Sequence, residues 1–283
     1  MTLDIITGSS GFIGQNLIKN MKNKKFIGID KLENKKFTHI KSNIAKIDFF
    51  KIANNQNIKN IYHFGGHSNL SYLKDFHKSF NEDIKSILNI LKFLDNNKNI
   101  RLIYSSSSYT YQGLHKNKVS ENYKIDPRNS FGFAKILFES LIRYRHKNSI
   151  IYRIASVCGD SNVSHPNLIS NMIKTAENES QINIWGKGNR KLQFIDVNLL
   201  GKIILKNKNL NPGIYNLGSS RNLKVKTIAK EISKNFNKKI KIDFNLKKNE
   251  GESLPLMSIT KIKKKLNLNK LNPNQIIKNC INL

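Results

Sequence analysis

Three glycines mark where this chain could do chemistry. They lie in Gly8-Ser-Ser-Gly11-Phe-Ile-Gly14, directly after a short apolar run, Leu3 to Thr7. Helical spacing follows, with Phe12, Ile13, Leu17, Ile18 and Met21 on one face. A strand, a glycine turn and a helix in that order make an anion site. The first glycine permits the tight turn, the second lets backbone approach a pyrophosphate, and the third lets the helix pack on the strand. Free N–H groups at the positive helix end then meet the phosphates. A second apolar run, Phe26 to Asp30, ends in a carboxylate at the distance where it accepts hydrogen bonds from an adenosine ribose. That charge repels a 2′-phosphate, so NAD is favoured over NADP; Lys31, next in sequence, weakens the preference.

The elements that must hold this loop alternate in type. Phe37 to Lys41 and Asn60 to Phe64 read as strands. Ser79 to Leu94 reads as a long helix with Ile84, Ile87, Leu88 and Leu91 on one stripe. Strand Arg101 to Ser105, helix Phe131 to Arg145 and strand Ile150 to Ile154 follow. The alternation predicts an α/β fold: a Rossmann-type, doubly wound parallel sheet with helices on both faces. The last third reads as helix Asn167 to Asn178, short strands Ile182 to Trp185 and Leu192 to Asp196, and helix Val197 to Leu205. Strand Gly213 to Gly218, helix Val225 to Asn235 and strand Lys239 to Phe244 come next, and from Lys261 the apolar pattern is sparse. We expect an NAD-binding domain from residues 1–160 and 191–222. Residues 161–190 and 223–283 should form a small C-terminal α/β substrate-binding lobe.

Composition narrows the partners. The 49 lysines and arginines outnumber the 19 acidic residues, for a net charge of +30. The excess is spread along the chain without interleaved aromatics, which argues against specific nucleic-acid binding and for a basic surface that steers anionic substrates. No stretch approaches the length of a membrane span, and the N-terminus lacks the pattern of a signal peptide, so a cytoplasmic protein is expected. Cys158 and Cys280 share no motif, so a disulfide framework is not expected, and Cys158 reads as a small buried hydrophobe. The seven histidines form no paired ligand motif, and no metal site is expected.

Longer motifs carry a resemblance. The spacing G-x-x-G-x-x-G, His63-Phe-Gly-Gly66, Ile103-Tyr-Ser-Ser-Ser-Ser-Tyr-Thr-Tyr111, Tyr152-Arg-Ile-Ala-Ser-Val-Cys-Gly159, Trp185-Gly-Lys-Gly188, Leu192-Gln-Phe-Ile-Asp-Val197 and Tyr215-Asn-Leu-Gly218 follow one another nearly end to end. Together they resemble the extended short-chain dehydrogenases/reductases, in the NAD-dependent epimerase/dehydratase branch that acts on nucleotide sugars. The resemblance implies hydride transfer at a sugar carbon, a nucleotide-sugar substrate, NAD as cofactor and a homodimer formed through the helices at Ser79 to Leu94 and Phe131 to Arg145. It adds Ser10, Phe12, Ile13, Asn43, Ile44, Phe64, Gly65, Gly66, Asn81, Ser105, Lys135 and Ile154 to the cofactor contacts. It implies His67, Ser107, Ser156, Lys187 and Arg190 on the substrate side. In that chemistry a tyrosinate takes the proton of a sugar hydroxyl, a lysine one turn later holds the ribose, and a serine hydrogen-bonds the reacting oxygen. Aligned on Tyr111, the serine is Ser107 and the lysine Lys135.

The tyrosine position is Phe131, which has no hydroxyl to carry a proton. Three readings follow: an active enzyme in which Tyr109, Tyr111, His67 or a water held by Ser107 and Lys135 moves the proton; a protein that binds NAD and nucleotide sugar without turnover; or a degenerate copy. Leu192 stands where the family often has arginine, with Arg190 two residues earlier, and Asn249 stands at another arginine place. Lys187, Lys247 and Lys248 are available to supply charge. His63 reads as packed rather than catalytic, and Trp185 as a core aromatic of the small lobe.

Overall fold

The computed structural model describes residues 2–22, 24–54, 56–159, 167–268 and 271–281. Seven strands form one parallel sheet: β1 (Leu3–Thr7), β2 (Lys25–Asp30), β3 (His39–Lys41), β4 (Ile58–His63), β5 (Arg101–Ser107), β6 (Ser149–Ile154) and β7 (Gly213–Leu217). Their order is β7-β6-β5-β4-β1-β2-β3. The chain runs outward from β1 in one direction, then crosses back to β4 and runs outward in the other. Strand order therefore reverses between β1 and β4, where Thr7 pairs with both Ile29 and His63. In doubly wound sheets the crevice outside the carboxyl ends at this point is where ligands bind.

Period-two side-chain alternation divides the sheet between two cores. Ile6, Tyr62, Ile103 and Tyr152 face helix α1 (Phe12–Lys19) and a later helix, Val197–Ile204. Ile5, Ile61, Leu102 and Ile151 face the other way, onto α2 (Phe76–Asp95) and α3 (Ser130–Arg145). Each fully buried Ile or Leu here contributes about 1.5–3 kcal/mol of transfer free energy. A third core gathers Ile169, Met172, Ile182, Ile184, Ile228, Ile232, Ile276 and Ile277. It lies under helices α4 (Leu168–Glu179), α5 (Val225–Ser233) and α6 (Pro273–Ile281), around the parallel pair Gln181–Trp185 and Lys241–Asn245.

The structure departs from the sequence reading in particular places. The buried residues of α2 are Ser79, Asp83, Ser86, Ile87, Ile90, Leu91, Phe93 and Leu94, while Leu88 is 49% exposed, so the buried face takes in three polar positions in place of Leu88. Thr260–Leu266 is a helix whose Ile262 and Leu266 join the core of the main sheet, although they fall in the range expected for the second lobe. Residues 161–166, the expected start of that lobe, lie outside the described residues. Asn167 is a helix cap rather than a helical residue; its Oδ1 accepts from Ser170 N at 2.9 Å. Cys158 is buried as expected, but tertiary packing brings the two cysteines together, free thiols with Sγ atoms 3.2 Å apart in the third core.

Candidate active site

The glycine loop sits at the switch in strand order. Gly8 has φ +73°, and a Cβ there would lie 2.4 Å from Gly65 N, so both the turn and the approach of the β4 loop require glycine. A Cβ at Gly14 would lie 2.1 Å from Gly8 O, which is what lets α1 start against the turn. At Gly11 a Cβ would meet only Gly8 O, at 3.2 Å, and its other side faces open space. Asp30 braces the loop from the end of β2. Its carboxylate accepts from Ser10 N at 3.1 Å and Leu32 N at 3.0 Å, while Ser10 Oγ donates to Leu32 O.

A cleft with a cavity volume of about 220 Å3 opens here. Gly8, Gly11, Asp30, Asn43, Ile44, Phe64, Gly65, Gly66 and His67 line it, together with Lys31, Glu82, Asp83 and Ser86. Asn43 Oδ1 is occupied by Ala45 N. The cleft shares Phe64, Gly65, Gly66 and Asp83 with a smaller inner cavity that reaches His63, Tyr104, Ser105 and Lys135.

Lys135 is the buried cation of the inner cavity. Its Nζ donates to Tyr104 Oη and Ser105 O, both at 3.1 Å, and lies 5.5 Å from the centre of the Phe131 ring. Burial pulls its pKa down, and the carboxylates of Asp83 and Glu139 push it back up. Asp83 accepts from His67 N and from His67 Nδ1 at 2.8 Å, and from Tyr72 Oη at 3.0 Å. Burial alone would raise the Asp83 pKa; His67 and Lys135 outweigh it, and the carboxyl is held low. His67 is raised by the Asp83 hydrogen bond. His63 is the packed residue expected: burial, with Lys135 nearby, lowers it to about 4 while its Nδ1 meets Thr7 Oγ1 at 2.7 Å.

Other expected residues fall elsewhere. Ser107 ends β5 half-buried, its Oγ accepting from Tyr109 N at 3.3 Å to start the 3-10 turn Ser108–Tyr111. Tyr111, expected as a possible proton carrier, is fully buried. Its hydroxyl donates toward Asn216 Oδ1 and Ser120 O and accepts from Arg153 Nη1 at 2.6 Å, so it has no open face. Asn81, expected on the cofactor, is exposed; Asp83, two residues on, faces the cleft instead, because the helix turns 200° between them. The side chains of Phe12 and Ile154 are buried in the core, and Ile13 is partly buried against it. Ser156 pairs with Phe194 outside the main sheet. Lys187 is exposed, and Arg190 is taken up by the 250 loop, its N–H and Nη1 reaching Glu250. Trp185, expected in a core, is 55% exposed with Lys248 Nζ 4.7 Å over its ring.

The sequence reading missed Asp83, Glu82 and Tyr104 as lining residues. Asp83 carried a signal: with Ser79, Ile87 and Ile90 it lies on one helical stripe, and a carboxylate on an otherwise buried stripe needs partners. It also missed the buried network behind the site. Glu139 accepts from Arg153 Nε and, at 2.6 Å, Nη2, and from Ser106 Oγ.

Comparison with known proteins bears on the family and the fold. A profile described as the NAD dependent epimerase/dehydratase family matches residues 5–218, more than half of the chain. An uncharacterized protein of Methanocaldococcus jannaschii is 28% identical over 85% of this chain and 82% of its own. The dTDP-4-dehydro-6-deoxyglucose reductase of Escherichia coli is 25% identical, over 85% and 84%. Among solved structures, the UDP-N-acetylglucosamine 4-epimerase of Methanobrevibacter ruminantium superposes with a TM-score of 0.88 at 19% identity, over 99% of this chain and 97% of that one. The dTDP-glucose 4,6-dehydratase of Bacillus anthracis, solved with NAD, superposes with a TM-score of 0.82 at 15% identity, over 100% and 96%. The chain belongs to the NAD-dependent epimerase/dehydratase family of extended short-chain dehydrogenases/reductases, and its cofactor is NAD.

Proposed function

We propose that this protein is an enzyme that acts on a nucleotide sugar by hydride transfer at a sugar carbon, as an epimerase, dehydratase or reductase. One observation carries the reading: the dinucleotide cleft runs directly into the cavity that holds Lys135 and Ser105. The residues present fit NAD. Gly8, Gly11 and the N–H groups that open α1 would hold the pyrophosphate, with Ser10 only if it first released Asp30 or Leu32 O, Asp30 would hold the adenosine ribose, and Asn43 and Ile44 the adenine end. Bound NAD supplies a two-electron acceptor for a hydride from the sugar. Lys135 would hold the nicotinamide ribose, and Ser107 Oγ would donate to the reacting sugar oxygen. His67, Ser156, Lys187 and Arg190 stand as the substrate-side candidates, of which Arg190 would first have to leave Glu250.

The reading divides the chain into a cofactor unit, 1–160 and 191–222, and a substrate lobe from 161–190 and 223–283; the third core supports a second unit, although Cys158 and Phe194 also enter it and Ile262 and Leu266 pack on the main sheet. It includes a homodimer through α2 and α3, where Phe133 and Tyr144 are 56% and 78% exposed. It also places the protein in the cytoplasm, in accord with two free buried thiols. No described helix is long and apolar enough to cross a membrane. Mass spectrometry of ligands that copurify, followed by incubation with NAD and UDP-glucose, UDP-N-acetylglucosamine or dTDP-glucose, tests the proposal. Bound NAD with a converted sugar supports it. Failure to bind any of these sugar nucleotides would sink it.

A further inference from the structure

A sugar hydroxyl that is oxidised must give its proton to an acceptor, and Phe131 has none. Four tyrosines surround the site, and three are committed. Tyr72 packs edge-on against Phe131, but its buried hydroxyl donates to Asp83. Tyr104 is buried with its hydroxyl against Lys135 Nζ. Tyr111 is sealed among Arg153, Asn216 and Ser120. His67 is half-exposed but lines the dinucleotide cleft, held between Asp83 and Glu82.

Tyr109 differs from all of these. It lies two residues after Ser107, and its N–H donates to Ser107 Oγ, so the two side chains share one tight turn. Its ring meets the Phe131 ring edge-on, with centroids 5.9 Å apart and planes at 79°. That Phe131 ring is the one addressed by Lys135 Nζ. Tyr109 is half-buried, its hydroxyl has no hydrogen-bond partner among the described residues, and it is not one of the sealed polar atoms. A free phenol thus stands beside the ring that lacks one.

We propose that Tyr109 is the proton-transfer residue of this site, so that the phenol absent from α3 is supplied by the turn after β5. This rests on the nucleotide-sugar reading above. The sugar O–H bond breaks and its proton passes to Tyr109 Oη as the phenol's own proton leaves to solvent through the exposed side. The sugar C–H bond breaks as the C=O bond forms; bound NAD would supply the acceptor for the hydride, which accounts for the two electrons the sugar carbon loses. Ser107 Oγ donates to the sugar oxygen throughout. In the reverse direction Tyr109 returns the proton.

The test compares four full-length proteins: wild type, Tyr109→Phe, Phe131→Tyr and the double variant. Each is given NAD with UDP-glucose, UDP-N-acetylglucosamine and dTDP-glucose in turn. Binding of NAD and of each sugar nucleotide is measured first, by calorimetry. Turnover is followed by nicotinamide absorbance and by product analysis across pH. Tyr109→Phe keeps the ring packing, so it should bind NAD like wild type, lose about 10²–10⁴-fold in kcat and lose the rising limb of the pH profile. The double variant, with the phenol moved to 131, should regain roughly tenfold or more over Tyr109→Phe. A wild type that turns over while Tyr109→Phe stays within about threefold of it overturns the proposal and leaves the enzyme reading standing. So does a wild type that binds NAD and a sugar nucleotide but is inactive, whether or not Phe131→Tyr awakens it; that result leaves only the binding site. A wild type that binds none of the sugar nucleotides overturns both.

Discussion

The buried network behind the site gives a sharp prediction for Glu139→Ala. Glu139 and Arg153 are each 3% exposed at the side chain. The Glu139 carboxylate takes two donors from Arg153 and one from Ser106, and among the described residues Arg153 keeps only the Tyr111 hydroxyl beyond it. Removing the carboxylate leaves an uncompensated guanidinium in the core, which costs about 3–5 kcal/mol. For a chain of this size that lowers Tm by roughly 6–15 °C. Total stability is of order 5–15 kcal/mol, so the variant should still fold at low temperature. Activity should fall as well, because the network joins Ser106, next to Ser107, to the turn of α3 that follows Lys135. A double variant, Glu139→Leu with Arg153→Met, removes both charges and should recover at least half of the lost Tm, since a missing pair costs far less than a missing partner. Thermal unfolding by circular dichroism measures both. A Glu139→Ala shift below about 2 °C, or a double variant no better than the single, would refute the reasoning.

Four further outcomes follow from the site. Gly14→Ala drives a Cβ to 2.1 Å from Gly8 O, so the loop must open and NAD affinity should drop about tenfold or more by calorimetry; unchanged affinity would mean the loop does not hold the pyrophosphate. Asp30→Ala strips the acceptor from the Ser10 and Leu32 N–H groups and from the ribose, so NAD should bind roughly 10–100-fold more weakly while NADP gains relative to it; an unchanged ratio counts against the ribose contact. The His67 pKa is raised when folded, so the stabilisation from its Asp83 contact is complete below about 6.5 and is lost as pH rises through the raised value; Asp83, held low, loses its share only in acid. The Tm difference between wild type and His67→Asn should therefore shrink from pH 6 to alkaline pH, and a flat difference would contradict the pairing. Phe133→Glu places a charge in the exposed α3 face and should convert a dimer to a monomer in light scattering; a wild type already monomeric removes the dimer from the reading.

Much of the frame was legible because it is local. The glycine spacing, the apolar runs of β1, β2, β4 and β6, and the carboxylate at Asp30 each express backbone sterics or burial within a few residues, and they sufficed for the parallel sheet and the dinucleotide loop. The absence of a hydroxyl at residue 131 was equally plain from the letters alone. What the letters could not assign was facing. Asn81 and Asp83 differ by two positions, and only the docking of α2 on the sheet decides which one meets the cleft. Tyr72, Tyr104, Tyr109 and Tyr111 are the same residue type in one neighbourhood, and packing commits three of them while leaving Tyr109 open beside Phe131. Cys158 meets Cys280, and Glu139 meets Arg153 and Ser106, through strand order and helix placement rather than through any spacing. The sequence by itself determined the backbone path that can cradle NAD, because that path depends on φ, on missing Cβ atoms and on period-two burial. The tertiary structure alone decided which polar side chains are consumed by the core and which remain for chemistry, because hydrogen-bond satisfaction in a buried site is settled by neighbours far away in the chain.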